Sequence, residues 1–153
     1  MNQSRRDVLR ISSVLGLAIT AGLIKPSDVF AGEWKANVFE AKNLEAAVKA
    51  LGGEGFVVSK DVTVTGPDIA ENGAVVPVSV ASAAPNTEFI AILVEKNPTP
   101  LAASFTIPSG TEPAVSTRVK MGGTSNVHAL VKADGKWLIA SKEIKVTLGG
   151  CGG

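Results

Sequence analysis

The spacing of apolar residues changes character once along this chain, at Gly52-Gly53. Before that pair, Leu44, Ala47, Val48 and Leu51 recur at helical intervals and fall on one face, with Asn43 placed to cap the helix and the two glycines placed to stop it. After it the period is two. Val62 and Val64 alternate with threonines up to Gly66-Pro67, and Val76, Val78 and Val80 resume the pattern after a turn at Glu71-Asn72-Gly73. Pro77 offers no amide hydrogen, so its strand is expected at an edge or with a bulge. Further strands are predicted over 87–94, 103–107 and 115–121. Segments 126–132 and 136–140 flank Asp134-Gly135, a pair that tolerates positive φ and suits a tight hairpin turn. Ile144, Val146 and Leu148 then alternate with Lys145 and Thr147 in a final strand. Seven or eight short strands spaced by Pro, Gly and Asn predict a mainly β fold: an immunoglobulin-like antiparallel β-sandwich with a short N-terminal helix. An open barrel is the alternative.

One strand breaks the alternation. In Phe89-Ile90-Ala91-Ile92-Leu93-Val94 both sets of positions are apolar, whereas a strand with one wet face carries polar residues at every second position. Its second face must be covered, either by the N-terminal helix and loops of this chain or by a partner protein.

The two ends of the chain carry the remaining signals. Arg5-Arg6 precede an apolar stretch from Ile11 to Ile24, interrupted only by Ser, Thr and Gly, and Lys25-Pro26 ends it. This is the layout of a twin-arginine export signal, with Val29-Phe30-Ala31 as the cleavage site and the periplasm as the destination. The stretch is too short for a membrane anchor, which needs roughly 20 apolar residues. Three segments are therefore expected: a signal over 1–31, a helix-plus-sandwich domain over 32–148, and a glycine-rich arm over 149–153. The chain's 15 basic and 14 acidic groups include Arg5, Arg6, Arg10 and Lys25 against Asp7 and Asp28 in the signal, so the mature chain carries a formal charge of −1. No basic face for nucleic acid is expected, and no membrane association of the mature form.

Catalytic chemistry is scarce. His128 is the sole histidine and alternates with Val127, Ala129 and Val131, as a surface strand residue does. No second histidine or cysteine stands at metal-ligand spacing, and the chain has no tyrosine. Gly52-Gly53 and Gly122-Gly123 do not follow a strand and open a helix, so neither reads as a phosphate loop. Trp34 and Trp137 read as packing residues, and Lys142 and Lys145 as a solvated strand face. Neither a cofactor nor a metal is expected, and the protein reads as a non-enzyme.

What remains is Cys151, the single cysteine, set between Gly149-Gly150 and Gly152-Gly153 at the carboxyl terminus. A lone cysteine makes no internal disulfide, so it either crosslinks molecules or works as a thiol. Glycines leave the backbone around it free, and five extended residues reach at most about 17 Å. The tail holds no cation, metal ligand or helix start to lower the thiol pKa, and the terminal carboxylate opposes ionisation. Activation must come from whatever receives the tail. That is the logic of a carrier.

A twin-arginine leader, a small β domain and a terminal Gly-Gly-Cys-Gly-Gly together resemble the SoxY family, the sulfur-carrying subunits of the bacterial thiosulfate-oxidation system. Gly149 to Gly153 match the family's swinging-arm motif without departure, while in the leader Val8 stands where an aromatic is commonest. The resemblance implies that Cys151 is the attachment point for thiosulfate-derived sulfur, held covalently. It also implies a heterodimer with the Z subunit, which becomes a candidate cover for the 89–94 strand. Three enzymes are implied as further partners: a haem-containing one that attaches thiosulfate, a hydrolase that releases sulfate, and a sulfane dehydrogenase. Two other readings compete with it. One is a periplasmic structural module that uses Cys151 for an intermolecular disulfide. The other is a ubiquitin-like carrier using a thiocarboxylate at Gly153, which the export signal opposes.

Overall fold

Residues 36–148 are described by the computed structural model, and they form two short helices and nine strands. In chain order these are α1 (Ala36–Phe39), α2 (Leu44–Ala50), β1 (Val57–Val58), β2 (Val62–Thr65), β3 (Ile69–Asn72) and β4 (Val76–Ser82). β5 (Thr87–Val94), β6 (Leu101–Thr106), β7 (Ala114–Val119), β8 (Ser125–Ala133) and β9 (Lys136–Leu148) complete the set. The expected signal peptide with Arg5 and Arg6, and the arm from Gly149 to Gly153, lie outside the described residues.

Local chemistry sets the ends of α2. The Asn43 side chain accepts a hydrogen bond from the Ala46 amide at 2.8 Å, which satisfies one of the free amides of the first turn. At the other end the Gly52 amide donates to Lys49 and the Gly53 amide to Val48, both at 2.9 Å. Gly52 has a φ of +82°, so the pair forms the reversed turn that closes a helix and suits glycine.

The strands form an immunoglobulin-like sandwich of two sheets. The larger runs β1-β9-β8-β5-β6, with β3 also paired to β9, and the smaller runs β2-β4-β7. All pairs among β5, β6, β8 and β9, and both pairs of the smaller sheet, are antiparallel. The hairpin between β8 and β9 turns at Asp134 (φ 48°) and Gly135 (φ 70°), the doubly positive φ that matches strand twist. In two places the structure departs from the sequence pattern. The segments that read as two last strands are one, β9, continuous through Ser141 to Glu143. Two short strands not expected, β1 and β3, pair parallel to β9. Pro77 sits in the middle strand of the smaller sheet, yet β2 lies alongside β4 only from Ser79 onward. At Pro77 the strand is therefore a local edge, where a missing amide hydrogen costs no ladder bond on that side.

Two apolar layers result. Ile90, Ile92 and Val94 of β5 face Val76, Val78 and Val80 of β4 between the sheets, together with Val127, Val131 and Ile144. Ala91 and Leu93 point the other way, with Leu130 and Ile139, and meet Val38, Ala41, Ala47 and Val48 from the helical segment. Phe89 closes one side through an edge-on contact with Trp137, with ring centres 5.9 Å apart. The second apolar face of the 89–94 strand is thus covered by this chain's own helices. The Z subunit is not needed there, and its candidacy as the cover is withdrawn.

Candidate functional site

The expected attachment residue, Cys151, and the glycines on either side of it lie outside the described residues. The structure does describe where the arm begins. β9 ends at Leu148, and that end is held from two sides. On one side β3 runs parallel to it, aligning Ile69 with Lys145 and Asn72 with Leu148. The Thr147 hydroxyl donates to the Glu71 carbonyl at 3.1 Å, and the Leu148 carbonyl accepts from the Gly73 amide at 2.8 Å. On the other side the Val146 amide donates to the Thr124 hydroxyl at 2.9 Å. The Gly73 carbonyl in turn accepts from the Met121 amide at 2.7 Å, which joins the β3–β4 turn to the end of β7. The last residue before the arm is therefore fixed by backbone bonds, a firm base for whatever follows it.

The surface around this base is apolar. Ile69, Val75 and Leu148 are each more than half exposed, at 58%, 54% and 63%. Asn72 sets the turn that presents Val75, its side chain accepting from the Ala74 amide at 2.8 Å. Beside it the Lys142 ammonium lies 2.7 Å from Asp68, and this hydrogen bond and charge hold the Asp68 carboxyl below its ordinary range. Lys142 is paired with the exposed Asp68 on this strand face, and Lys145 is exposed.

His128 faces away from the inter-sheet layer, as its alternation with Val127 and Ala129 required. Its Nε2 lies 3.2 Å from Glu95, which also accepts from the Asn126 side-chain amide at 2.9 Å. The Asn126 bond first, and the His128 bond second, hold the Glu95 carboxyl below the ordinary glutamate range. A carboxyl depressed in the folded state contributes stability above its unfolded value and loses it as pH falls through the folded one. Glu95 is solvent-exposed, so that contribution is small. In a carboxyl NMR titration we expect Glu95 to have a lower midpoint than the solvated glutamates, and Asn126→Ala to move it up toward them. A midpoint at or above theirs would show that the bonds do not persist in solution.

Sequence reasoning found the arm but missed its anchors, β3, Gly73 and Thr124. Glu71-Asn72-Gly73 was legible as a turn, while the strand leading into it was not. Among the described residues no group of three His, Cys, Asp or Glu side chains is arranged to hold a metal ion.

Comparison with known proteins bears on the residues beyond Leu148. No curated protein matches the chain. Among solved structures, the sulfur carrier protein SoxY from Chlorobium limicola f thiosulfatophilum aligns with a TM-score of 0.61 and 38% sequence identity, over 68% of this chain and 94% of that one. The family model described as sulfur oxidation protein SoxY matches residues 47–151, a span that runs from α2 through the sandwich and ends on Cys151. The chain belongs to the SoxY family of sulfur oxidation proteins.

Proposed function

We propose that this protein is a periplasmic carrier that holds thiosulfate-derived sulfur covalently on Cys151 and presents it to successive enzymes. The observation that carries the reading is the extent of the family match, which ends on the one cysteine of the chain. The geometry supports it: β9 is held as far as Leu148 by β3 and Gly73 on one side and as far as Val146 by Thr124 on the other, so the residues beyond start from a defined, exposed point.

Each step of the cycle balances. The Cys151 thiol and thiosulfate join through a new S–S bond to give Cys–S–S–SO3−, releasing one proton and two electrons, which a haem-containing partner accepts. A hydrolase then adds water to the terminal sulfonate, releasing sulfate and leaving a persulfide on Cys151. A sulfane dehydrogenase oxidises the outer sulfur of the persulfide anion with oxygen from three waters to Cys–S–SO3−, releasing six protons and passing six electrons to its own acceptor. The chain supplies none of these steps itself. It keeps the intermediate attached and delivers it.

Export through the twin-arginine route, directed by Arg5 and Arg6 with cleavage near Ala31, places the carrier with thiosulfate and the oxidases. That route moves folded cargo, so one signal serves a heterodimer with the Z subunit. The Z subunit binds away from the outer face of β5, which the helices occupy.

Intact-mass analysis tests the reading. Protein purified without reductant from cells oxidising thiosulfate is expected to carry labile sulfur adducts confined to the terminal peptide. Free thiol and disulfide-linked dimer alone would instead support the structural-module reading.

A further inference from the structure

Of the chain's asparagines only Asn72 is followed by glycine. At such a pair the backbone modifies itself most readily, because glycine has no β-carbon to shield its nitrogen from the preceding side-chain amide. Asparagine counts among the thermolabile residues for this reason. In this fold the pair stands where β3 passes into its turn, with Asn72 exposed and Gly73 buried.

Two hydrogen bonds act on the pair in opposite senses. The Ala74 amide donates to the Asn72 side-chain oxygen at 2.8 Å. That bond polarises the carboxamide carbon and is placed to stabilise the oxyanion that forms when a nitrogen attacks it. The nitrogen that closes a five-membered ring on this carbon is that of Gly73, and its hydrogen is given instead to the Leu148 carbonyl at 2.8 Å. The Gly73 carbonyl accepts from the Met121 amide at 2.7 Å, so the glycine is held on both sides of its α-carbon. Ring closure must turn the Gly73 nitrogen out of the ladder that sets Asn72 opposite Leu148. The electrophile is prepared while the nucleophile is locked.

We propose that Asn72 is a deamidation site gated by the base of the arm, reacting when Leu148 comes away from Gly73. The Gly73 nitrogen bonds to the Asn72 carboxamide carbon, its proton and the side-chain nitrogen leave together as ammonia, and a succinimide remains. Water then opens the ring at either carbonyl and gives aspartate or isoaspartate at position 72. The sequence of steps uses no oxidant. In the succinimide the Gly73 nitrogen carries no hydrogen, so Leu148 loses its donor as soon as the ring closes. Isoaspartate adds one main-chain atom ahead of Gly73, which moves the amide out of register with Leu148, and leaves a carboxylate where a neutral amide stood. A transient opening at the base of the arm is thereby made permanent. The inference rests on the backbone geometry of that base and stands whether or not Cys151 carries sulfur.

The test holds the full-length protein in mildly alkaline buffer at physiological temperature beside a synthetic peptide of residues 68–78. Isoaspartate at position 72 is followed by peptide mapping, by the small mass gain of deamidation and by methylation with an isoaspartyl methyltransferase. Mapping also separates position 72 from Asp134-Gly135, whose aspartate forms the same ring. The folded protein is expected to react at least about tenfold more slowly than the peptide, since its rate follows the population of the open base. Two variants release the lock: a chain ended at Thr147, which lacks the Leu148 carbonyl, and Thr147→Val, which loses the bond to the Glu71 carbonyl. Both are expected to react several-fold faster than the parent protein while thermal melts show a folded domain. If the shortened chain does not fold, Thr147→Val decides alone. A folded protein that reacts as fast as the peptide, or a folded variant no faster than its parent, overturns the lock. A peptide that forms no isoaspartate overturns the site.

Discussion

Replacing Cys151 with serine is expected to reduce thiosulfate-dependent sulfate formation in a reconstituted system to background, with the fold unaltered. Serine is a close steric match, but its oxygen forms no S–S bond, so neither the thiosulfate adduct nor the persulfide exists. No other cysteine is available to substitute. β9 is paired with β8 as far as Ile144 and with β3 as far as Leu148 without any contribution from the residue, so the melting temperature should stay within the range of a neutral surface change, about ±0.5 kcal/mol. Turnover assays paired with thermal melts check both halves. Substantial residual sulfate formation would place the carrier chemistry elsewhere. Loss of a covalent dimer with turnover intact would favour the structural module.

The elements legible in the sequence are those whose signal is local. α2 is readable from Asn43 to Gly53 because a cap, an apolar face and a glycine stop all act within a turn or two. The bounds of β5 at Thr87 and Val94, and the hairpin at Asp134-Gly135, are readable for the same reason. β1 and β3 escape notice because they follow no alternating pattern. Val57 and Val58 are both exposed, and three of the four residues of β3 are exposed. Such strands exist through backbone bonds to β9, which stands 76 residues away in the case of Thr147 and Glu71. A parallel pairing at that distance leaves no mark on a short window. β9 reads as two strands because Ser141-Lys142-Glu143 interrupts its apolar alternation, yet Asn126, Val127 and His128 of β8 carry the ladder across it.

The candidate site divides along the same line. The arm is a composition signal, one cysteine among four glycines, and needs no fold to be seen. Its base is a tertiary arrangement: β3, the Gly73 turn and Thr124 come from separate stretches of chain and meet only around the end of β9.

Truncating Leu130 to alanine is expected to give a larger loss of stability than any other substitution proposed. Leu130 has no solvent exposure and lies in the layer between β5, β8 and β9 and the helices. The packing there is tight: a β-carbon placed on Gly53 would come within 2.8 Å of the Leu130 side chain. Removing a buried leucine from such a layer costs about 2–5 kcal/mol, because the helix ending at Gly52-Gly53 and the sheet beneath it cannot both relax into the space. For a domain of this size that corresponds to a fall in melting temperature on the order of 10 °C or more. The comparison that gives the result meaning is Leu148→Ala, which removes a similar side chain from the exposed base of the arm and should change stability by less than about 0.5 kcal/mol. Chemical denaturation of the isolated chain separates the two ways of covering the 89–94 strand. If helices of the same chain form the layer, the full cost of Leu130→Ala is present without any partner. A cost below about 1 kcal/mol, with affinity for a partner protein lost instead, would mean that this face is an interface and that the helices cover it only loosely.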